Sequence, residues 1–196
     1  MTPPPEPATP AEPATPATRI LFVLRHAKSS WDDPGLGDHE RPLAPRGRRA
    51  ALQMAAYVRA HEISPALVLC STARRTVQTL EAVAPGGRIL IEPDLYAAQS
   101  AELLARLRQV PDVTTCVMLI GHNPGLQMLV LALAGTRART RARTREDPKP
   151  TANLAAIENK FPTAALATLT LRGAWSELRP GHAELTGYVR PKDLPA

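Results

Sequence analysis

Five consecutive apolar residues, Ile20 to Leu24, end abruptly in the polar pair Arg25-His26, inside the stretch RILFVLRHAKSS. The run is short, rich in branched side chains and apolar at every position, as in a strand buried on both faces. Such a strand belongs inside an α/β sheet, and open α/β sheets bind ligands beyond the carboxyl ends of their strands. Arg25 and His26 are then the two groups this strand delivers to that edge. The dipeptide alone is equally compatible with an incidental loop, so its meaning depends on what the other strands deliver.

The pattern recurs downstream. Arg46 to His61 spaces Ala50, Met54, Ala55 and Val58 at helical intervals and predicts an amphipathic helix packed on the sheet. Ala66 to Cys70 predicts a second strand, followed by a helix to about Val83 that Ser71 or Thr72 can cap, with Arg75 in its first turn. A solvated surface arginine is the commoner fate of such a residue, but here the helix terminus and a guanidinium could act together on an anion. A third strand, Arg88 to Ile91, is broken by Pro93, and Ala101 to Leu107 predicts a helix with Leu103, Leu104 and Leu107 on one face. The fourth strand, Thr114 to Ile120, ends in Gly121-His122-Asn123-Pro124-Gly125, where Pro124 is suited to start a helix running to about Ala134. Ala164 to Leu171 reads as another strand and Leu185 to Val189 as an edge strand.

With 196 residues, 44% of them hydrophobic, the chain can bury one core, and one domain over 19–196 accounts for it. Cys70 and Cys116 fall on apolar runs and read as buried free thiols in a reducing compartment. Met1 to Thr18 holds seven of the 21 prolines, with Thr, Ala and Glu, and reads as a disordered tail. It has neither the basic nor the apolar region of a secretory signal, and no later run reaches membrane-spanning length, so a soluble cytoplasmic protein without a membrane partner is expected. Thr136 to Arg145, TRARTRARTR, has no apolar face and reads as an exposed Arg-rich insertion at about 136–150. Of the formal net charge of +6, residues 137–149 supply +4 and the tail −2, so the rest of the chain carries +4. A solvated insertion is favoured slightly over a clamp for an acidic protein or for nucleic acid, and nucleic acid is not the expected partner.

Two histidines and two arginines thus fall at or just past the ends of three separate strands. A metal site is disfavoured, because arginines beside His26 and His122 would repel a divalent cation and no Cys, Asp or Glu sits at ligand spacing. No Gly-rich nucleotide loop is present either, so neither a metal nor another cofactor is expected. Anion chemistry suits the set. Arg25 and Arg75 offer forked donors to a phosphoryl group, a neutral His26 can attack phosphorus in line, and His122 can donate to the phosphoryl oxygens.

The Arg-His strand end, the Ser-x-x-x-Arg-x-x-Gln-Thr pattern at Ser71 to Thr79 and the Gly-His-Asn-Pro turn resemble the histidine phosphatase superfamily. More narrowly, RHAKSSW, DHERPLAPRG and KFPTAALATLTL resemble its SixA group of phosphohistidine phosphatases. The resemblance covers roughly Arg19 to Leu171. It implies a phosphoglycerate mutase-like α/β fold, a three-layer α/β/α sandwich with a mostly parallel central sheet. It also implies that His26 is transiently phosphorylated, that Arg25 and Arg75 bind the phosphoryl group, that His122 completes the pocket, and that Arg41, with Ser29 and Asn123, contacts the phosphate or its carrier. The implied activity is a metal-independent phosphatase acting on phosphohistidine in a signalling or phosphorelay protein. A small-molecule phosphomonoesterase, or a phosphate- or nucleic-acid-binding module without catalysis, are the alternatives. Two departures stand out. Ala27 replaces the usual glycine, and nothing matches the glutamate other branches use as general acid, although Asp94 and Glu102 lie in the right part of the chain. An alkoxide leaving group needs such an acid, worth about 10²- to 10⁴-fold, whereas a phosphoramidate with a protonated ring leaves as neutral imidazole. The missing acid therefore favours P–N over unactivated P–O substrates.

Overall fold

A computed structural model describes residues 18–139 and 152–195, with backbone only for 136–139. A six-stranded sheet in the order β3-β2-β4-β1-β5-β6 forms its middle layer. Strands β1 (Thr18–Arg25), β2 (Leu67–Ser71), β3 (Arg88–Glu92) and β4 (Cys116–Gly121) are mutually parallel, while β5 (Leu166–Arg172) runs antiparallel to both β1 and β6 (Ala183–Val189). Helices α1 (Pro45–Ala60) and α2 (Arg74–Val83) cover one face; α3 (Ser100–Leu107), α4 (Gly125–Arg139) and α5 (Ala152–Asn159) cover the other. This is the expected three-layer α/β fold.

Side chains alternate across the sheet, and the two cores follow from that alternation. Phe22, Leu24, Val68, Cys70, Met118 and Ile120 point to Met54 and Val58 of α1 and to Leu80 and Val83 of α2. Leu21, Val23, Leu67, Leu69, Val117 and Leu119 point the other way, to Leu103 and Leu107 of α3, Leu126, Leu129, Val130 and Leu133 of α4, and Ile157 of α5. Both faces of β1, β2 and β4 are thus dry, which is why their sequences are continuously apolar. Cys70 is buried and Cys116 half-buried; neither is in a disulfide, and burial pushes the Cys70 thiol up to about 12.

Two expectations need correction. Neither Ser71 nor Thr72 caps α2: Ala73 holds that position without a side-chain cap bond, and both hydroxyls bond histidines instead. Residues 136–139, expected in an irregular loop, continue α4 as helix. Helix α5 was not foreseen, because only Leu154 and Ile157 in it are buried. The amino-terminal tail before Thr18 and the Arg-rich stretch 140–151 lie outside the described residues. Among those residues, no helix is long and apolar enough to cross a membrane.

Candidate active site

Strands β1 and β4 are neighbours with Arg25 paired to Gly121, so the residues that follow, His26 and His122, leave the sheet side by side. Their ring centroids lie 5.1 Å apart, and both residues are buried. Next to β4 lies β2, whose end leads into α2 and brings Arg75 to the same place. Arg75 Nη2 donates to His122 Nδ1 at 3.2 Å. Arg25 sits on the other side, its Nη1 donating to the Phe161 carbonyl at 2.7 Å. Its Nε is buried and takes no partner among the described residues.

The hydrogen bonds fix both tautomers. His26 Nδ1 lies 2.7 Å from the Ala27 carbonyl, which can only accept, so Nδ1 carries the proton and Nε2 holds the lone pair. At His122 the logic reverses. Arg75 can only donate, so Nδ1 accepts, and Nε2–H donates to Ser71 Oγ at 2.8 Å. Burial, more than the neighbouring cations, lowers the His26 pKa to about 3; His122, Arg75 and Arg25 add to it, and the bond to Ala27 opposes it. Burial first, then Arg75, lowers that of His122 to about 4 against the opposing charge of Asp38. Both rings are neutral at pH 7.

The sequence pattern from Ser71 to Thr79 resolves into four separate tasks. Ser71 orients His122 and Arg75 reaches the pocket; Gln78 Oε1 accepts from Leu43 N at 2.7 Å; Thr79 Oγ1 accepts from Ala27 N at 3.0 Å. Helix α2 therefore holds the loop after His26 and the loop carrying Arg41 at once. Ala27, where glycine is usual, is fully buried with its methyl in a small cluster with Leu43, Ala51 and Ala164.

Sequence reasoning missed two contributors. Asp38 binds Arg75 through its carbonyl at 2.5 Å and its carboxylate at 2.9 Å, and Tyr96 donates its hydroxyl to the same carboxylate at 2.8 Å. The Tyr96 hydroxyl, with help from Arg75, holds the Asp38 carboxyl below its usual range. Asp38 lies within the quoted DHERPLAPRG segment, but no spacing marked it; Tyr96 carried no signal. Asp94 is exposed in the turn Pro93–Leu95, and Glu102 is engaged elsewhere, accepting from Gln99 N at 2.7 Å in the capping box of α3.

Of the other expected residues, Asn123 shares the Phe161 carbonyl with Arg25, donating to it at 3.0 Å, and its Oδ1 is buried without a partner among the described residues. Arg41 stacks on Trp31, 3.9 Å above the ring, with Nε and Nη1 buried and without hydrogen-bond partners among the described residues. Ser29 is buried and bridges to Leu43. Among the described residues no side-chain hydrogen bond joins Arg41 or Ser29 to the two histidines.

The family model for the histidine phosphatase superfamily (branch 1) matches residues 21–96. An uncharacterized protein of Mycobacterium tuberculosis is 36% identical over 172 residues, spanning 86% of this chain and 100% of that protein. Two solved structures, each described as a phosphohistidine phosphatase SixA, share the fold. The one from Nakamurella multipartitia has 30% identity and a TM-score of 0.77, covering 90% of this chain and 98% of its own. The one from Agrobacterium tumefaciens has 28% identity and a TM-score of 0.69, covering 87% and 97%. Kinship over nearly the full length of these relatives, with the Arg25-His26 strand end inside the matched region, establishes the chain as a phosphatase of the histidine phosphatase superfamily.

Proposed function

We propose that the protein removes the phosphoryl group from phosphohistidine borne on another protein, with His26 as the covalent nucleophile. The observation that carries this reading is the state of the carboxylates. Asp38 is the one bonded into the pocket among the described residues, and Tyr96 and Arg75 keep it ionised, a poor proton donor. A neutral leaving group is what such a pocket can expel.

The steps balance without an acid. The His26 Nε2 lone pair attacks phosphorus, and the substrate P–N bond breaks with its electron pair returning to the substrate ring. That ring, already protonated on its other nitrogen, departs as neutral imidazole. Water then attacks the phosphorus on His26, the enzyme's N–P bond returns its pair to Nε2, and both protons of the water leave with inorganic phosphate. Arg25 and Arg75 neutralise the equatorial oxygens throughout. Negative charge between the rings favours protonation of His122, converting Nδ1 from acceptor of Arg75 into donor to the phosphoryl group. Arg41, Ser29 and Asn123 are assigned to the carrier side of the phosphate.

We take residues 19–196 as one phosphatase domain, supported by the single sheet that β1 and β6 share, with a tail at 1–18 and an insertion at about 136–150. The test is hydrolysis of a phosphohistidine peptide beside p-nitrophenyl phosphate, in EDTA, by the wild type, His26→Ala and Arg75→Ala. Preference for the peptide, lost in both variants, is expected. Equal or better turnover of the ester by the wild type points to a small-molecule phosphomonoesterase, and an active His26→Ala overturns the covalent route.

A further inference from the structure

Beside Arg25 opens a groove of about 520 Å³ whose walls are basic: Arg25, Lys28, Arg46, Lys160, Arg190 and Lys192, with no carboxylate among the lining residues. Arg190 is neutralised by a two-pronged bond to Asp193, at 2.7 and 2.8 Å. Lys28, Arg46, Lys160 and Lys192 have no ion-pair partner among the described residues. Arg46 stands in the first turn of α1, which has no acidic residue and no side-chain cap, so the helix terminus adds to the positive potential.

The cations come from separate segments, and backbone contacts lock those segments together. The Lys28 carbonyl accepts from Ala44 N at 2.9 Å, and α1 lies so close to it that a Cβ on Gly47 would sit 2.1 Å from that oxygen. The Tyr188 hydroxyl donates to the Lys160 carbonyl at 3.0 Å, tying that loop to β6, and Asp193 also accepts from Arg190 N at 3.0 Å, closing the turn that carries Lys192. The groove is thus preformed in its backbone and adjustable in its side-chain tips. Six of the ten residues lining the groove are cationic and none is acidic, a balance that suits negative charge spread over a surface.

We infer that this groove docks an acidic segment of the substrate protein, Asp and Glu residues flanking its phosphohistidine, and so selects the phosphoprotein while the His26 pocket performs the chemistry. The inference rests on the phosphohistidine reading above. Arg25 joins the two, lining the groove while its charge acts on both site histidines.

The test compares two chemically phosphorylated peptides, each with one phosphohistidine flanked by either four Glu or four Gln. The wild type is expected to favour the Glu peptide by about tenfold in kcat/KM at low ionic strength, with the preference fading as salt rises. Lys28→Gln, Lys160→Gln and Lys192→Gln combined should bring the ratio close to one. A control of equal charge change on exposed residues elsewhere, Arg59→Gln, Arg88→Gln and Arg172→Gln, should keep it. Equal hydrolysis of both peptides by the wild type, a preference that survives the groove variant, or one that collapses equally in the control, each overturns the docking role and leaves the phosphohistidine activity standing. If neither peptide is cleaved while p-nitrophenyl phosphate is, the substrate reading itself fails and the docking role with it.

Discussion

At His26 one backbone carbonyl decides which nitrogen reacts, and burial decides when. With its pKa lowered to about 3, the ring stays unprotonated far below the usual histidine range. The acid limb of kcat/KM for p-nitrophenyl phosphate should therefore fall below pH 5 and not at the ordinary value of 6.5; a limb at 6.5 would mean the nucleophile is not desolvated as described. Ser71 acts one step removed, as the acceptor that keeps His122 in the tautomer able to take a bond from Arg75. Ser71→Ala should lower kcat about tenfold with little change in thermal stability, and Ser71→Thr, which restores a hydroxyl, should recover part of it, read by steady-state kinetics and melting together. The histidines and arginines of the pocket were legible because each is pinned to a strand end or a helix's first turn, positions that periodicity locates. Asp38 and Tyr96 were not. Each reaches the pocket from a loop or a short turn, and their meeting depends on tertiary folding that no local spacing encodes.

Among the elements, α1 and α2 act on the loop after β1 as two hands on one rope. Helix α1 touches it through Gly47, where any Cβ would collide with the Lys28 carbonyl, and α2 through the Thr79 hydroxyl on Ala27 N. Gly47→Ala should cost about 1–3 kcal/mol in a urea titration and depress turnover, because the backbone that must yield, at Lys28, lies two residues after the nucleophile. Gly135 in α4 is the counter-case: a Cβ there meets nothing among the described residues within 4 Å, so Gly135→Ala should add up to about 1 kcal/mol in the same titration and leave turnover alone. Strands and longer helices could be read from sequence within a few residues, since their apolar patterns are strong. Helix α5 escaped because its two buried residues make too weak a period, and the cap of α2 was misjudged because a serine that fits a cap was drawn to a buried imidazole, at a cost of about 1 kcal/mol in helix capping. Sheet order came only with the structure.

The molecule as a whole should register the site in its acid sensitivity. An unfolded chain protonates its histidines near 6.5, whereas folded His26 and His122 resist until about 3 and about 4. Between these limits the unfolded state binds more protons, so stability is full above pH 6.5 and declines as pH falls, by at most about 1.4 kcal/mol per pH unit for each histidine. Urea midpoints at pH 7.5, 6 and 5 should trace that slope, and His26→Gln with His122→Gln should flatten it. A slope unchanged in the double variant would place its origin elsewhere. The pairing of Arg25 with Gly121 carries one more implication. Adjacent strands stand about 4.8 Å apart in every sheet, and the 5.1 Å between the two imidazoles is close to that interval carried one residue past the strand ends. Their separation is borrowed from the backbone ladder, a length that side-chain substitution scarcely alters. Loops around the pocket can be lengthened, recharged or exchanged as substrates diverge, while the gauge that sets the nucleophile against its partner stays constant.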